Sequence, residues 1–304
     1  MLRQSENNVT ITGLLSEIDV RSGEFSKNNI KMPYLSAELK IKVKQDIYGT
    51  PVEMEVPVSM FATKYTNSGT ENFIYKSIED IRDNFVSIAA GGVEKADYVQ
   101  VRNATITENA FYDRGGNLIT YPRITGSFIN KVNRTEIPSE ASFIGDFIIG
   151  NITEEVNTQG DVTGRLVISG IVSQYRGAVD VVKFIVSDER AVAAIQSGWN
   201  NGDNVRVSCL LNFSSTTEWF EEATDFGDSI RTPKTVSIRE IIIRSGRVVD
   251  IEYDNEELNE AIAKRKMRLE ETKNKPANKT NTNTNANNIG DSANANKVFN
   301  NLGF

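Results

Sequence analysis

The sequence contains no histidine and only one cysteine. Without histidine the commonest general base and the commonest metal ligand are missing, and with them every Ser-His or Cys-His catalytic arrangement. Carboxylate or lysine chemistry would remain, but no carboxylate set is marked out. The acidic group Glu218, Glu221, Glu222, Asp225 and Asp228 lacks the alternating spacing of a calcium loop. Cys209 falls in the alternation Val205, Val207, Cys209, Leu211 and reads as a small buried hydrophobe, so a disulfide framework is excluded. No stretch approaches the ~20 apolar residues that cross a bilayer, and residues 1–12 lack the pattern of a secretion signal. A soluble, cytoplasmic, non-enzymatic protein without cofactor or metal is expected.

Excess charge is also confined. Residues 1–135 hold 16 basic and 16 acidic residues, whereas residues 136–250 hold 10 basic and 17 acidic. An acidic total disfavours broad neutralisation of duplex phosphates. It leaves room for a local basic groove.

What is abundant is strict apolar–polar alternation, the mark of half-buried strands. In the first half it predicts strands over 9–15, 35–43, 52–60, 98–106 and 119–132. Pro57 points to an edge or bulge position in the third. Between the third and fourth, Ile78, Ile81, Phe85 and Ile88 recur at helical spacing, with Ser77 and Asp80 as a capping box. The second half repeats the order, with strands over 143–152, 165–174, 179–186, 205–213 and 235–243. Its helix over 189–199 is capped by Ser187 or Asp188, with Ala191, Val192, Ile195 and Trp199 inward. Five strands with one helix between the third and fourth is the layout of the OB-fold, a partly open Greek-key barrel. The predicted fold is mainly β: two tandem OB-fold-like barrels, over 1–135 and 136–250.

Residues 251–275 turn to Glu, Lys and Arg around Leu258, Ile262 and Leu269, acidic first and basic after, which suits a helix. Its thin apolar stripe either docks on the body or pairs with a partner. Residues 276–304 are mostly Asn, Thr and Ala and are expected to be disordered, with Leu302 and Phe304 as an apolar tip.

The OB layout directs attention to strands two and three and to the loops joining strands one to two and four to five. In the first half the four-to-five hairpin carries Phe111, Tyr112, Arg114, Tyr121 and Arg123, rings interleaved with cations. That mixture suits a single strand, whose bases stack on rings and whose phosphates meet Arg and Lys; the same residues could simply pack the hairpin. Lys64, Tyr65, Tyr75 and Lys76 form a second cluster, with Phe61 and Phe73 nearby and a polar, mobile loop over 66–72 between. Lys40, Lys42 and Lys44 share the polar face of strand two, where they could meet phosphate or guard a strand edge. In the second half Tyr175, Arg176 and Lys183 are the candidates, with Arg165. The connection over 214–232 carries Trp219, Phe220 and Phe226 among carboxylates, which points to protein contact or to folding over its own barrel.

The stretch from Tyr112, Asp113, Arg114, Gly115, Gly116, Asn117 and Leu118 to Tyr121, Pro122 and Arg123 resembles tandem OB-fold single-stranded DNA-binding proteins of bacteriophages and mobile elements of low-GC bacteria. So does the segment from Lys64 and Tyr65 to Tyr75, Lys76 and Ser77, and the similarity covers 9–245. It implies sequence-tolerant binding and protection of single-stranded DNA in phage-type replication or recombination, in a host cytoplasm. The tail with its terminal Phe is similar to that of single-stranded DNA-binding proteins in general, which implies recruitment of replication or recombination proteins through the tip, although this tail has one acidic residue, Asp291, where those proteins carry an acidic run. A different class, a protein-interaction adaptor or virion component on OB-like scaffolds, fits the acidic second half. Oligomeric state stays open.

Overall fold

The alternating segments form strands that close into two barrels, each five-stranded in its basic order. The computed structural model describes residues 2–27, 30–113, 115–157, 159–222 and 230–274. In the first barrel β1 (Asn7–Lys27), β2 (Ile30–Ile47) and β3 (Thr50–Thr63) form an antiparallel meander. Helices α1 (Phe73–Asn84) and α2 (Ile88–Gly91) lead to β4 (Tyr98–Tyr112), β5 (Leu118–Thr125) and β6 (Ile129–Lys131). β4 pairs back on β1, and β3 meets β5 in parallel at Ser59 and Thr125, so the meander is closed through a crossover. That is the partly open Greek-key closure of the OB-fold.

The second barrel repeats the connections. β7 (Glu140–Val156), β8 (Val162–Ser173) and β9 (Val179–Val186) form the meander, and α3 (Glu189–Gly198) follows. β10 (Asn204–Asn212) pairs back on β7, while β13 (Glu240–Val248) pairs with β10 and meets β9 in parallel at Ile242 and Ile185. Between β10 and β13 the hairpin of β11 (Ser215–Glu222) and β12 (Ile230–Ser237) projects.

The structure revises or decides several local expectations. Helix α1 begins at Phe73 and is capped by Asn72, whose side chain accepts from the Ile74 N–H at 3.0 Å, not by Ser77. The helix starts earlier because Phe73 to Lys76 supply a first turn that the apolar period alone did not reveal. Asp188, one of the two caps expected for α3, accepts from Ala191 N–H. The predicted strand over 235–243 is broken at Ile238 and Arg239, so its outer part belongs to the projecting hairpin and its inner part to the barrel.

The barrels share one 11-stranded sheet, joined where β1 pairs with β7 from Asn7 opposite Gly145 to Thr12 opposite Glu140. One apolar cluster therefore runs through both, from Ile11, Leu39, Ile41 and Val58 to Phe143, Phe147 and Phe184, the last two stacked at 4.2 Å. Cys209 is inside it. A second tie is the β2–β3 turn. Tyr48 and Gly49 have φ of 52° and 82°, the two left-handed positions of a two-residue hairpin turn. The Tyr48 hydroxyl reaches across to donate to the Ile243 carbonyl at 2.9 Å.

Helix α4 (Asn255–Asn274) docks on the body. Leu258 and Ala261 are buried against Leu2, Ile148 and Val179. Arg265 pairs with Glu108 of β4, and Arg268 with Asp180 of β9 at 3.2 Å, so the helix straps one barrel to the other.

Candidate nucleic-acid interface

On β2, Leu35, Ala37, Leu39 and Ile41 point inward, which leaves Tyr34, Ser36, Glu38 and Lys40 on the outer face. Tyr34 lies between two other rings: Phe25 of β1 at 6.0 Å and Phe61 of β3 at 5.4 Å, tilted by 35° and 32°. All three are partly exposed. The row forms because Gly23, opposite Tyr34, has no side chain; a Cβ there would lie 2.5 Å from the Tyr34 hydroxyl oxygen. The sequence marks Phe61, but not Phe25 or Tyr34, because its alternation ends the first strand at 15 and begins the second at 35, whereas β1 runs to Lys27 and β2 starts at Ile30.

Along the same face the row continues to β5. The Arg123 guanidinium donates to Ser59 at 3.0 Å and to Glu38 at 3.1 Å, and Ser59 donates to Glu38. Beyond it, Lys40 pairs with Glu17 at 2.5 Å, while Lys42 and Lys44 share Glu53. The hydrogen bond to Glu17 raises the Lys40 pKa against the cost of its partial burial, and Lys42, then Lys44, lower that of Glu53. The positive stripe expected on strand two is therefore a neutralised lattice. Its carboxylates come from neighbouring strands.

The second cluster is mostly spent on structure. Tyr75 packs against the core, Lys76 pairs with Glu71, and the Lys64 ammonium lies 5.8 Å from the Tyr65 ring. The loop expected to be mobile is tied by Thr66 N–H to the Thr70 carbonyl at 2.8 Å and by bonds among the Thr66, Ser68 and Thr70 hydroxyls. Tyr65 and Phe73 remain exposed, Phe73 by 76%.

The β4–β5 hairpin projects beside the second barrel. On one of its faces Phe111 and Tyr121 meet edge to face at 6.0 Å. A cleft of about 480 Å³ opens there, with Phe111, Ile119 and Tyr121 on one wall and Val181, Lys183 and Arg239 on the other. Arg239 stands at the break between β12 and β13, and its guanidinium is 4.7 Å from the Tyr121 ring. The structure thus brings together Tyr121 and Lys183, both singled out in the sequence, with Arg239, which was not. Only the strand break could have flagged it. Tyr112 alternates to the other face, with Lys273 of α4 5.6 Å from its ring. Arg114, Leu302 and Phe304 lie outside the described residues.

Tyr175 and Arg176 occupy the β8–β9 turn, Arg176 in the left-handed region (φ 63°) with its guanidinium 5.3 Å from the Tyr175 ring. The turn abuts the first barrel, since Gln174 donates to the Ile106 carbonyl at 3.2 Å. Arg165 is committed to Glu155 and Glu240. On the projecting hairpin Trp219 is 64% exposed, so this ring does not fold over its own barrel.

Three buried titratable groups, Cys209, Asp180 and Glu108, are held in packing or ion pairs. Burial pushes the Cys209 thiol well up, away from a reactive thiolate. Asp180 is raised by burial, opposed by Arg268, and the Glu108 carboxylate is taken by Arg265. Among the described residues no group of three His, Cys, Asp or Glu is placed to hold a metal ion.

A family model described as YorF matches residues 5–275. No curated protein matches the chain in sequence. Among solved structures, the wild-type single-stranded DNA-binding protein from Thermus aquaticus is similar over 83% of this chain and 97% of its own, at 12% identity and a TM-score of 0.46. A deletion mutant of that protein aligns over 83% and 98%, at 12% identity and 0.45. The mitochondrial single-stranded DNA-binding protein of S. cerevisiae aligns over 42% of this chain and 96% of its own, at 14% identity and 0.25.

Proposed function

We propose that this chain, which belongs to the YorF family, binds single-stranded DNA on the outer face of its first barrel, tolerates any base sequence and makes or breaks no covalent bond. The observation that carries this reading is the row Phe25, Tyr34 and Phe61, three partly exposed rings in line across three strands. Rings in such a row offer successive bases a π-face, worth roughly 1–3 kcal/mol each and indifferent to base identity. A duplex, with its bases already stacked, cannot use them. The neutralised lysine lattice supports the same preference, because strong duplex binding rests on many free cations.

In this reading the units over 1–135 and 136–250 divide the work, the protein shields exposed strands during phage-type replication or recombination, and the tail tip at Leu302 and Phe304 recruits other proteins. A role in protein contact for the second barrel is favoured by the exposed Trp219 on its projecting hairpin.

The test is a titration of fluorescein-labelled oligo-dT and of a duplex of equal length at two salt concentrations. The expected result is tighter, salt-sensitive binding of oligo-dT. Equal affinity for the two forms overturns the reading.

A further inference from the structure

Four cations along the first barrel's outer face are paired: Lys40 with Glu17, Lys42 and Lys44 with Glu53, Arg123 with Glu38. A single strand lying on the aromatic row would find stacking there and little free positive charge. Lys183 and Arg239 differ. Both are exposed, both belong to the second barrel, and among the described residues neither forms an ion pair, Arg239 instead lying over the Tyr121 ring. Both face the same cleft as Phe111 and Tyr121.

That cleft is continuous with the row. Phe61 and Ser59 alternate onto one face of β3, Ser59 touches Arg123, and Tyr121 follows Arg123 on the same face of β5. The path therefore runs from Phe61 past Arg123 to Tyr121, where Arg239 waits over the ring. Glu108 also lines the cleft, but its carboxylate is turned to Arg265 of α4 and cannot oppose an incoming phosphate at full strength. The volume, about 480 Å³, is within the range of roughly 300–1,000 Å³ typical of small-ligand clefts.

We infer that single-stranded DNA passes from the aromatic row of the first barrel into this inter-barrel cleft, where Lys183 and Arg239 hold its phosphates while Tyr121 carries a base. The first barrel supplies the stacking and the second the charge, in spite of the latter's acidic total. This rests on the single-strand reading above and adds to it the crossing point and the two residues that meet phosphate.

The experiment uses the full chain, a labelled oligo-dT of roughly 30 nucleotides, and a series of salt concentrations. Wild type is compared with Lys183→Ala, Arg239→Ala, the double variant, the charge-keeping pair Lys183→Arg with Arg239→Lys, and Lys266→Ala on the exposed side of α4 as control. Each single alanine variant is expected to flatten the plot of log affinity against log salt by about 0.7, and the double by about twice that. The double variant should bind roughly tenfold more weakly at low salt. The charge-keeping pair and the control should follow wild type, and thermal melting should be unchanged in all, since these side chains are exposed. If wild type prefers oligo-dT and the double variant keeps its slope, the cleft assignment is overturned and the single-strand reading stands. If wild type itself shows no preference for oligo-dT over duplex, both fall.

Discussion

The two barrels have one set of connections and two different surfaces. In each, the first strand pairs back on the fourth and the third meets the fifth in parallel. In the first barrel the four-to-five hairpin, β4 with β5, is unbroken in register and carries Phe111 and Tyr121 beside the cleft. In the second the corresponding hairpin is interrupted at Ile238 and Arg239 and ends in β11 and β12, with Trp219 in solvent. Inward residues keep the barrel closed, and they are alike in kind. Outward residues are free to diverge, so the same architecture presents a row of rings in one copy and a cation pair facing a cleft in the other.

The contrast can be broken most severely through the strap that holds the barrels together. Arg265→Ala leaves Glu108, whose side chain is only 2% exposed, without its guanidinium partner. A buried charge stripped of its partner costs about 3–5 kcal/mol, so chemical denaturation should show a loss of that order. Losing much less would mean that α4 is peripheral to the joint.

Next in size is the stacking difference. Tyr34→Ala should weaken oligo-dT binding by about tenfold, from the loss of one base stacked at roughly 1–3 kcal/mol, with the salt slope unchanged. Trp219→Ala should leave that affinity as it is. A reversal of the two outcomes in fluorescence anisotropy would assign the strand to the second barrel.

A smaller effect of opposite sign is expected from the lattice on β2. Glu53→Gln releases Lys42 and Lys44, which should tighten oligo-dT binding a few-fold and steepen its salt dependence. Unchanged binding would place the strand's path away from these lysines.

The smallest is a pH effect at the strap. Asp180 holds its proton more firmly in the folded chain than in the unfolded one, because burial outweighs the pull of Arg268. Its charged form therefore costs stability above the raised folded value, and that cost fades as pH falls through the window down to the ordinary value of 3.8. Compared with Asp180→Asn, wild type should gain relative stability on acidification through that window. Parallel pH curves for the two would show that the buried carboxylate is not titrating there.

Element order was legible because alternation of period two and spacing of period 3.6 report which side chains face a core, and both barrels obey them. The lysines of β2 were legible as a polar face, but their partners were not. Glu17 lies opposite Lys40 only because β1 shifts register between Leu15 and Glu17, an irregularity that no local pattern announces. The ring row needed the true length of β1, and its extension to Lys27 carries little apolar alternation. Arg239 gains its place from a break in a strand that reads as continuous, and the α4 strap depends on side chains more than 80 residues apart in sequence.

The pairing of β1 with β7 has a consequence for dissection of the molecule. β1 is hydrogen-bonded to β2 and β4 of its own barrel and to β7 of the other. A cut in the connection between β6 and β7 would give two fragments, each with an uncovered sheet margin shaped to the other. Such halves are suited to reassemble when co-expressed and to self-associate when alone, so the fold is better described as a split-protein pair carried on one polypeptide than as two beads on a string.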